Sequence, residues 1–359
     1  MNLYTDLVAL DIGTNSIKIA AVDPGPARQG YVVRNLAMVE LPQGLVGGDF
    51  TGPFISDLTV FKNTLAGLVR SIKNTRQGFV IGLPDRWVKL HLETLELSEN
   101  ERRFPGFLSW RLEKSLPIPE GMKVFIDYQI LGPAANGAPG HYQVLAAAVK
   151  AEIIEILSSL TTDLHVEVMA FDTSSLGVFN LFEESFPDRT VDQTVINLHI
   201  GHETTVFKAY NRGALMYERV IEVAGEEFAK IISELDSINL ETAMKTKHSE
   251  KFFPTGRADV SELLERRQRI DRIFGNWLRE LNVTFRFFQD KFNVSRLPAV
   301  FLTGGSSMFA GLETFLSEYL ETPCRLFNPL AEMPLAKKVD EDKVRTGPAF
   351  AACLGLLAK

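Results

Sequence analysis

The sequence predicts a two-lobed α/β protein, each lobe carrying a mixed sheet, with a small α+β domain inserted into the first lobe. Three observations carry this. Short apolar runs alternate with amphipathic helical stretches along all 359 residues, a length that suits two or three domains. A strand, a Gly-containing turn and a second strand occur near the N-terminus and again after residue 190. Between those units, the segment from Asp85 to Val149 reads as short strands and one helix, after which the pattern of the first lobe resumes.

Taken in order, Leu7 to Leu10 and Ile17 to Val22 read as strands joined by the turn Asp11 to Ser16. A helix follows from Asp57 to Lys73, with Leu58, Phe61, Leu65, Leu68 and Ile72 at helical spacing. Phe79 to Leu83 reads as a buried strand stopped by Pro84. The insertion contributes strands Trp87 to Glu93, Lys123 to Leu131 and Gln143 to Ala148, a helix Phe107 to Lys114, and a polar turn Gly132 to Gly140. The helix Lys150 to Leu160 returns the chain to the first lobe, and Glu183 to Arg189 separates the lobes. In the second lobe, strands Thr194 to His199 and Val206 to Tyr210 flank the turn at Gly201. Helices cover Glu226 to Ile238 and Val260 to Phe288, the latter with the stripe Ile270, Phe274, Trp277, Leu281, Phe285 and Phe288. Arg266, Arg267, Arg269 and Arg272 read as its solvated face. A strand Ala299 to Leu302, a turn from Thr303 and a helix Gly311 to Leu320 complete the lobe. Asp340 to Arg345 reads as an exposed link, and Ala349 to Ala358 as a buried terminal helix of small residues. The implied division is 1–84 with 150–190 for the first lobe and 85–149 for the insertion. The second lobe takes 191–339, including a helical part at about 211–298, and 340–359 forms the link and terminal helix.

Composition narrows the function classes. The net charge of −7 and the absence of a basic stripe argue against a nucleic-acid binder. Two cysteines, Cys324 and Cys353, make no disulfide framework and point to a reducing compartment. No secretion signal is expected in the first residues, and no apolar run approaches the roughly 18 residues of a membrane span.

The turns carry the chemistry. The first offers Asp11, Gly13, Thr14, Asn15, Ser16 and Lys18; the second Gly201, Thr204 and Thr205; the third Gly304, Gly305 and Ser306. Converging backbone N–H groups, hydroxyls and a cation suit a phosphate, and a strand-end carboxylate such as Asp11 suits a hydrated magnesium ion. Each turn alone is also a plain structural hairpin or loop; three of them, each after an apolar strand, are more specific. Neither GxGxxG nor a Walker-type loop is present.

These residues resemble the actin-like ATPases and, among them, the type IV pilus assembly protein PilM family, over nearly the whole chain. Asp11 to Lys18 looks like the family's first phosphate loop, and Phe104 to Pro119 with Asp127 to Leu131 is similar to its inserted domain. Glu218 to Phe228 resembles a second-lobe segment. Glu241 and Lys245 look like the AExxK element, whose Glu and Lys meet the ribose and base side of the nucleotide; otherwise they read as a surface ion pair. Leu302 to Ser306, Gly311, Leu312, Asn328 and Pro329 complete the pattern.

The resemblance implies bound ATP and Mg²⁺, with Asp11 on the metal. It also implies a cytoplasmic scaffold recruited to the inner membrane by the N-terminal peptide of a PilN-like protein, with pilus motor or platform proteins as further partners. One departure is His199, where the family's second turn starts with aspartate; imidazole cannot replace a carboxylate around hydrated Mg²⁺. Weak or absent ATP hydrolysis is therefore expected. Alternative readings are a small-molecule kinase on the same fold, with Asp172 or Asp192 as base, and an FtsA-like or GspL-like structural protein. The FtsA-like reading expects a membrane helix beyond Lys359, and the GspL-like one a membrane segment.

Overall fold

The computed structural model describes residues 6–25, 31–72, 77–134, 139–174, 176–185, 194–211, 214–247, 253, 260–295, 297, 299–337 and 339–358. Asp192, the stretch after Ser185 and the middle of the Gly132–Gly140 turn lie outside them.

The first sheet begins with β1 (Asp6–Ile12), β2 (Ser16–Pro24) and β3 (Tyr31–Glu40), joined antiparallel. A small ladder of β4 (Val46–Gly47) and β5 (Phe54–Ile55) precedes helix α1 (Leu58–Ile72) and β6 (Gln77–Leu83), which lies parallel to β1. The chain then leaves the sheet for β7 (Val88–Glu96), α2 (Glu99–Arg103), α3 (Pro105–Ser115), β8 (Val124–Pro133) and β9 (His141–Lys150). These strands form a separate three-stranded sheet ordered β7-β9-β8. Helix α4 (Ala151–Asp163) brings the chain back to β10 (Glu167–Thr173), parallel to β6, and α5 (Val178–Ser185) follows.

The second sheet opens with the antiparallel strands β11 (Thr194–Ile200), β12 (Thr205–Asn211) and β13 (Ala214–Ile221). Helices α6 (Gly225–Asp236), α7 (Leu240–Thr246) and α8 (Val260–Phe292) lead to β14 (Val300–Thr303), parallel to β11. After α9 (Leu312–Tyr319) comes β15 (Cys324–Leu326), and the chain ends with α10 (Glu341–Arg345) and α11 (Gly347–Gly355). The two five-stranded sheets run β3-β2-β1-β6-β10 and β13-β12-β11-β14-β15, three antiparallel strands followed by two parallel ones in both. The repeated strand–turn–strand unit is thus part of a repeated sheet.

Burial explains why these segments form these elements. Phe61, Leu65, Leu68 and Ile72 seat α1 on the first sheet, while Leu58 at its start is 43% exposed. All six residues of the α8 stripe are buried against the second sheet and α6. Each such side chain contributes roughly 1.5–3 kcal/mol when taken from water. Leu108 and Leu112 of α3 cover one face of the inserted sheet. Helix α11 is buried along all nine residues and packs with α5, Phe301 and Phe327 between the two sheets.

Four local expectations change. Ala214–Ile221, expected within a helical part, is the outer strand of the second sheet, and the helices begin at Gly225. Trp87 is no strand residue; it closes a 3₁₀ turn, is fully buried, and donates from Nε1 to Gly47 O at 2.9 Å. Asp340 caps the short helix α10, where a link was expected. Arg269 is not simply solvated, because its guanidinium forks onto both oxygens of Asp236 at 2.8 and 2.7 Å.

Candidate functional site: three turns at the cleft

The first and second turns are built alike. Asp11 pairs with Lys18 in the β1–β2 register, and His199 pairs with Val206 in β11–β12. Gly13 N donates to Ser16 O at 3.0 Å, and Gly201 N donates to Thr204 O at 2.9 Å. His199 therefore occupies the position in its hairpin that Asp11 holds in the first. Asn197 lies two residues back, where its amide donates to Phe301 O and Thr303 Oγ1.

The two strand-end groups differ in chemistry. Asp11 is buried and carries Lys18 Nζ at 3.3 Å. His199 Nδ1 lies 3.1 Å from Thr303 Oγ1 on the neighbouring β14. Burial is the largest influence on His199 and lowers its pKa, against the opposing pull of Asp85 and Asp11, so the ring is neutral near pH 7. The charges of Asp11, Lys18, Asp85 and Lys208 all act on this imidazole, which places the first-lobe turn and the second-lobe strand ends around one cleft.

The third turn follows β14. Gly304 has φ +90°, and a Cβ there would fall 2.4 Å from Ile200 O, so this close approach to the second hairpin admits glycine alone. Gly305–Met308 forms a 3₁₀ turn rather than the start of α9, and it places Ser306 against the first turn of α6. A Cβ on Gly225 would lie 2.0 Å from Ser306 Oγ and 3.0 Å from Lys247 Nζ. The N-terminus of α6, whose Gly225 and Glu226 N–H groups donate to Gly201 O and His202 O of the second turn, thus faces a serine hydroxyl and an ammonium. Such an arrangement favours an anion. Thr205 lies behind it, donating to Val223 O and accepting from Trp277 Nε1.

Lys247 is the residue that sequence reasoning missed. It is 5% exposed, and its Nζ has no hydrogen-bond or ion-pair partner among the described residues. Burial lowers its pKa to about 8, partly opposed by Glu40 across the cleft. Nearby His202 is pushed to about 4, first by burial and then by Lys247, and its Nδ1 is buried without a partner. Glu241 and Lys245 meet each other at 2.6 Å and are exposed to 78% and 67% at the side chain. The structure brings that pair together on the surface of α7 and points Lys247 into the cleft instead. A local signal was available: Ala243 and Lys247 are four residues apart and share the buried side of this turn of chain.

Glycines at backbone contacts, an unpartnered buried ammonium and a helix N-terminus fit the phosphates of a nucleotide. Magnesium has fewer donors: Asp11 is one carboxylate already salt-bridged to Lys18, and His199 stands where a second acid is expected. No cluster of three or more His, Cys, Asp or Glu side chains suited to a metal occurs among the described residues. This donor set suits an outer-sphere contact to hydrated Mg²⁺ through Asp11 and no inner-sphere cage.

The paired sheets of identical order with turns facing one cleft define an actin-like ATPase fold. Solved structures agree. The chain is similar to a PilM-PilN type IV pilus biogenesis complex, with TM-score 0.79 and 19% identity over 98% of this chain and 97% of that one. It is also similar to ethanolamine utilization protein EutJ from Carboxydothermus hydrogenoformans, with TM-score 0.54, 12% identity, and 98% and 89% of the two chains covered. MreB 5 of Spiroplasma citri bound to AMPPNP gives TM-score 0.51 and 12% identity, covering 98% and 94%. A family model described as type IV pilus assembly protein PilM matches residues 9–358, and the chain belongs to that family.

Proposed function

We propose that this chain is an ATP-binding scaffold of type IV pilus assembly, cytoplasmic and held at the inner face of the inner membrane by the N-terminal peptide of a PilN-like protein. Membership of the PilM family supports the assembly role, and the match to a PilM-PilN complex supports the partner. No helix among the described residues is long and apolar enough to cross a membrane, which suits recruitment through a partner. The observation that carries nucleotide binding is the unpartnered, buried Lys247 beside Gly225 and Ser306.

In this reading Gly13, Thr14, Asn15, Ser16 and Lys18 receive phosphate on one side and Gly201 and Thr204 on the other, while Thr205, expected to join them, supports the turn from behind because Val223 O and Trp277 Nε1 occupy its hydroxyl. Gly304, Gly305, Ser306 and Lys247 close on the phosphates from the third side, with Glu241 and Lys245 at the outer, nucleoside rim. Asp11 orders the waters of Mg²⁺. Neutral His199 supplies no second negative charge, so hydrolysis is slow and ATP acts mainly by favouring one arrangement of the lobes. Calorimetric titration with ATP, with and without Mg²⁺, tests this. Asp11→Asn is expected to weaken Mg²⁺-ATP binding by roughly tenfold or more, and metal-free ATP binding far less. Equal losses for the two ligands remove Asp11 from the metal, and no binding by the folded wild type refutes the nucleotide assignment.

A further inference from the structure

Asp85 and Arg86 follow β6 in the first lobe, yet both side chains make ion pairs with the second. Asp85 Oδ1 accepts from Thr173 Oγ1 at 3.1 Å and meets Lys208 Nζ at 3.3 Å. Lys208 is fully buried on β12 and also pairs with Glu218 of β13 at 3.5 Å. A buried ammonium holds its counter-charges firmly, because losing one leaves an uncompensated ion away from water. Asp85 is thereby fixed, and with it the start of the next side chain. Arg86 then reaches Glu203 through Nη1 at 2.8 Å and Glu222 through Nη2 at 3.1 Å.

Glu203 belongs to the second turn, between Gly201 and Thr204. A carboxylate there opposes an anion in the loop that otherwise suits one. Arg86, supplied by the other lobe, is the cation on both Glu203 and Glu222. We propose that Arg86 is a charge-compensating positioning residue of the phosphate site. With the lobes together it neutralises Glu203 and Glu222 and admits a phosphate at the second turn. With the lobes apart it leaves both acids and that turn stays acidic. Anion affinity is then tied to closure, and by linkage a bound nucleotide favours the closed lobes. This rests on the nucleotide reading given above.

The test is titration of the full chain with ATP at two salt concentrations, using wild type, Arg86→Ala, Glu203→Gln and the double variant, each checked for folding by circular dichroism. Arg86→Ala is expected to weaken ATP binding by roughly tenfold, more at low salt, where the exposed carboxylates are less screened. Removing Glu203 as well should return affinity to within about threefold of wild type, and Glu203→Gln alone should bind at least as tightly as wild type. Should Arg86→Ala fail to fold, Arg86→Lys keeps the charge without the fork and should bind with intermediate affinity. A merely structural role for Arg86 predicts no rescue; a double variant as weak as Arg86→Ala, or an Arg86→Ala protein that binds like wild type, overturns the proposal. A folded wild type that binds no ATP overturns the nucleotide reading and this one with it, an outcome distinct from binding without rescue.

Discussion

Lys247 illustrates why a buried, unpartnered charge supports the nucleotide proposal. Its folded pKa of about 8 lies below the ordinary 10.5, so the unfolded chain holds the proton more strongly between those values. Stability of the ligand-free protein should therefore rise as pH climbs from about 8 toward 10.5, because the cost of the buried ammonium disappears. A phosphate beside Nζ reverses the preference and favours the protonated form. ATP affinity is expected to fall between pH 7 and 9, with proton uptake near pH 8, seen by calorimetry in buffers of different ionisation enthalpy. Lys247→Met should lower affinity and flatten that profile; an unchanged profile would separate Lys247 from the ligand. Sequence reasoning found the Gly, Asp and Ser positions of the turns because turn chemistry is local. It placed Lys245 at the nucleotide through the resemblance to the AExxK element, where the plain i,i+4 pair with Glu241 is what forms, while the surroundings of Lys247 and the partners of Arg86 come from distant parts of the chain.

At the scale of elements, strongly periodic segments were legible and boundary strands were not. The stripes of α1 and α8 announce themselves by spacing, and strands β1, β2, β11 and β12 by apolar runs around Gly turns. Strand β13 has the mixed sequence Ala214–Ile221 with Glu218 and Arg219 inside it, and those charges suit a strand only because Lys208 and Glu280 meet them. The terminal helix was legible as apolar, but its role as the piece packed between the two sheets depends on tertiary contact. There Gly355 and Gly177 touch: a Cβ on Gly355 would fall 2.5 Å from Gly177 C and 2.7 Å from Val178 N. Gly→Ala in a helix ordinarily gains up to about 1 kcal/mol in propensity. Here the obstacle is backbone, which cannot step aside, and overpacking of this kind costs roughly 1–3 kcal/mol. Gly355→Ala is expected to lower the urea midpoint at unchanged slope. An equal or higher midpoint would show that α11 and α5 can separate freely.

For the whole molecule, the proposed partner peptide needs a strand edge to seat on. The inserted sheet is ordered β7-β9-β8 and the first sheet ends at β10, so β8 and β10 each present an outer edge. Phe125 on β8 and Met169 on β10 are 51% and 46% exposed, and Asp127 acts electrostatically on Asp172, which brings the two strands near each other. Trp87, at the root of the inserted sheet, is buried in the first-lobe core and cannot be an anchor. An extended peptide can add to such an edge through its backbone while alternate side chains enter the apolar surface beside it. Exposed edges are otherwise a liability, and here the apolar side chains next to them are not blunted by lysine or proline at the strand centres. Hydrogen exchange with a synthetic peptide from the N-terminus of a PilN-like partner should show protection in Val124–Pro133 and Glu167–Thr173. The adjoining β9 should slow as well, while Val260–Phe292 should change little. Phe125→Ser should weaken the peptide by roughly tenfold without shifting the unfolding midpoint, because an exposed side chain adds little to the fold. Tight binding with protection confined to the second lobe would move the partner away from the inserted sheet altogether.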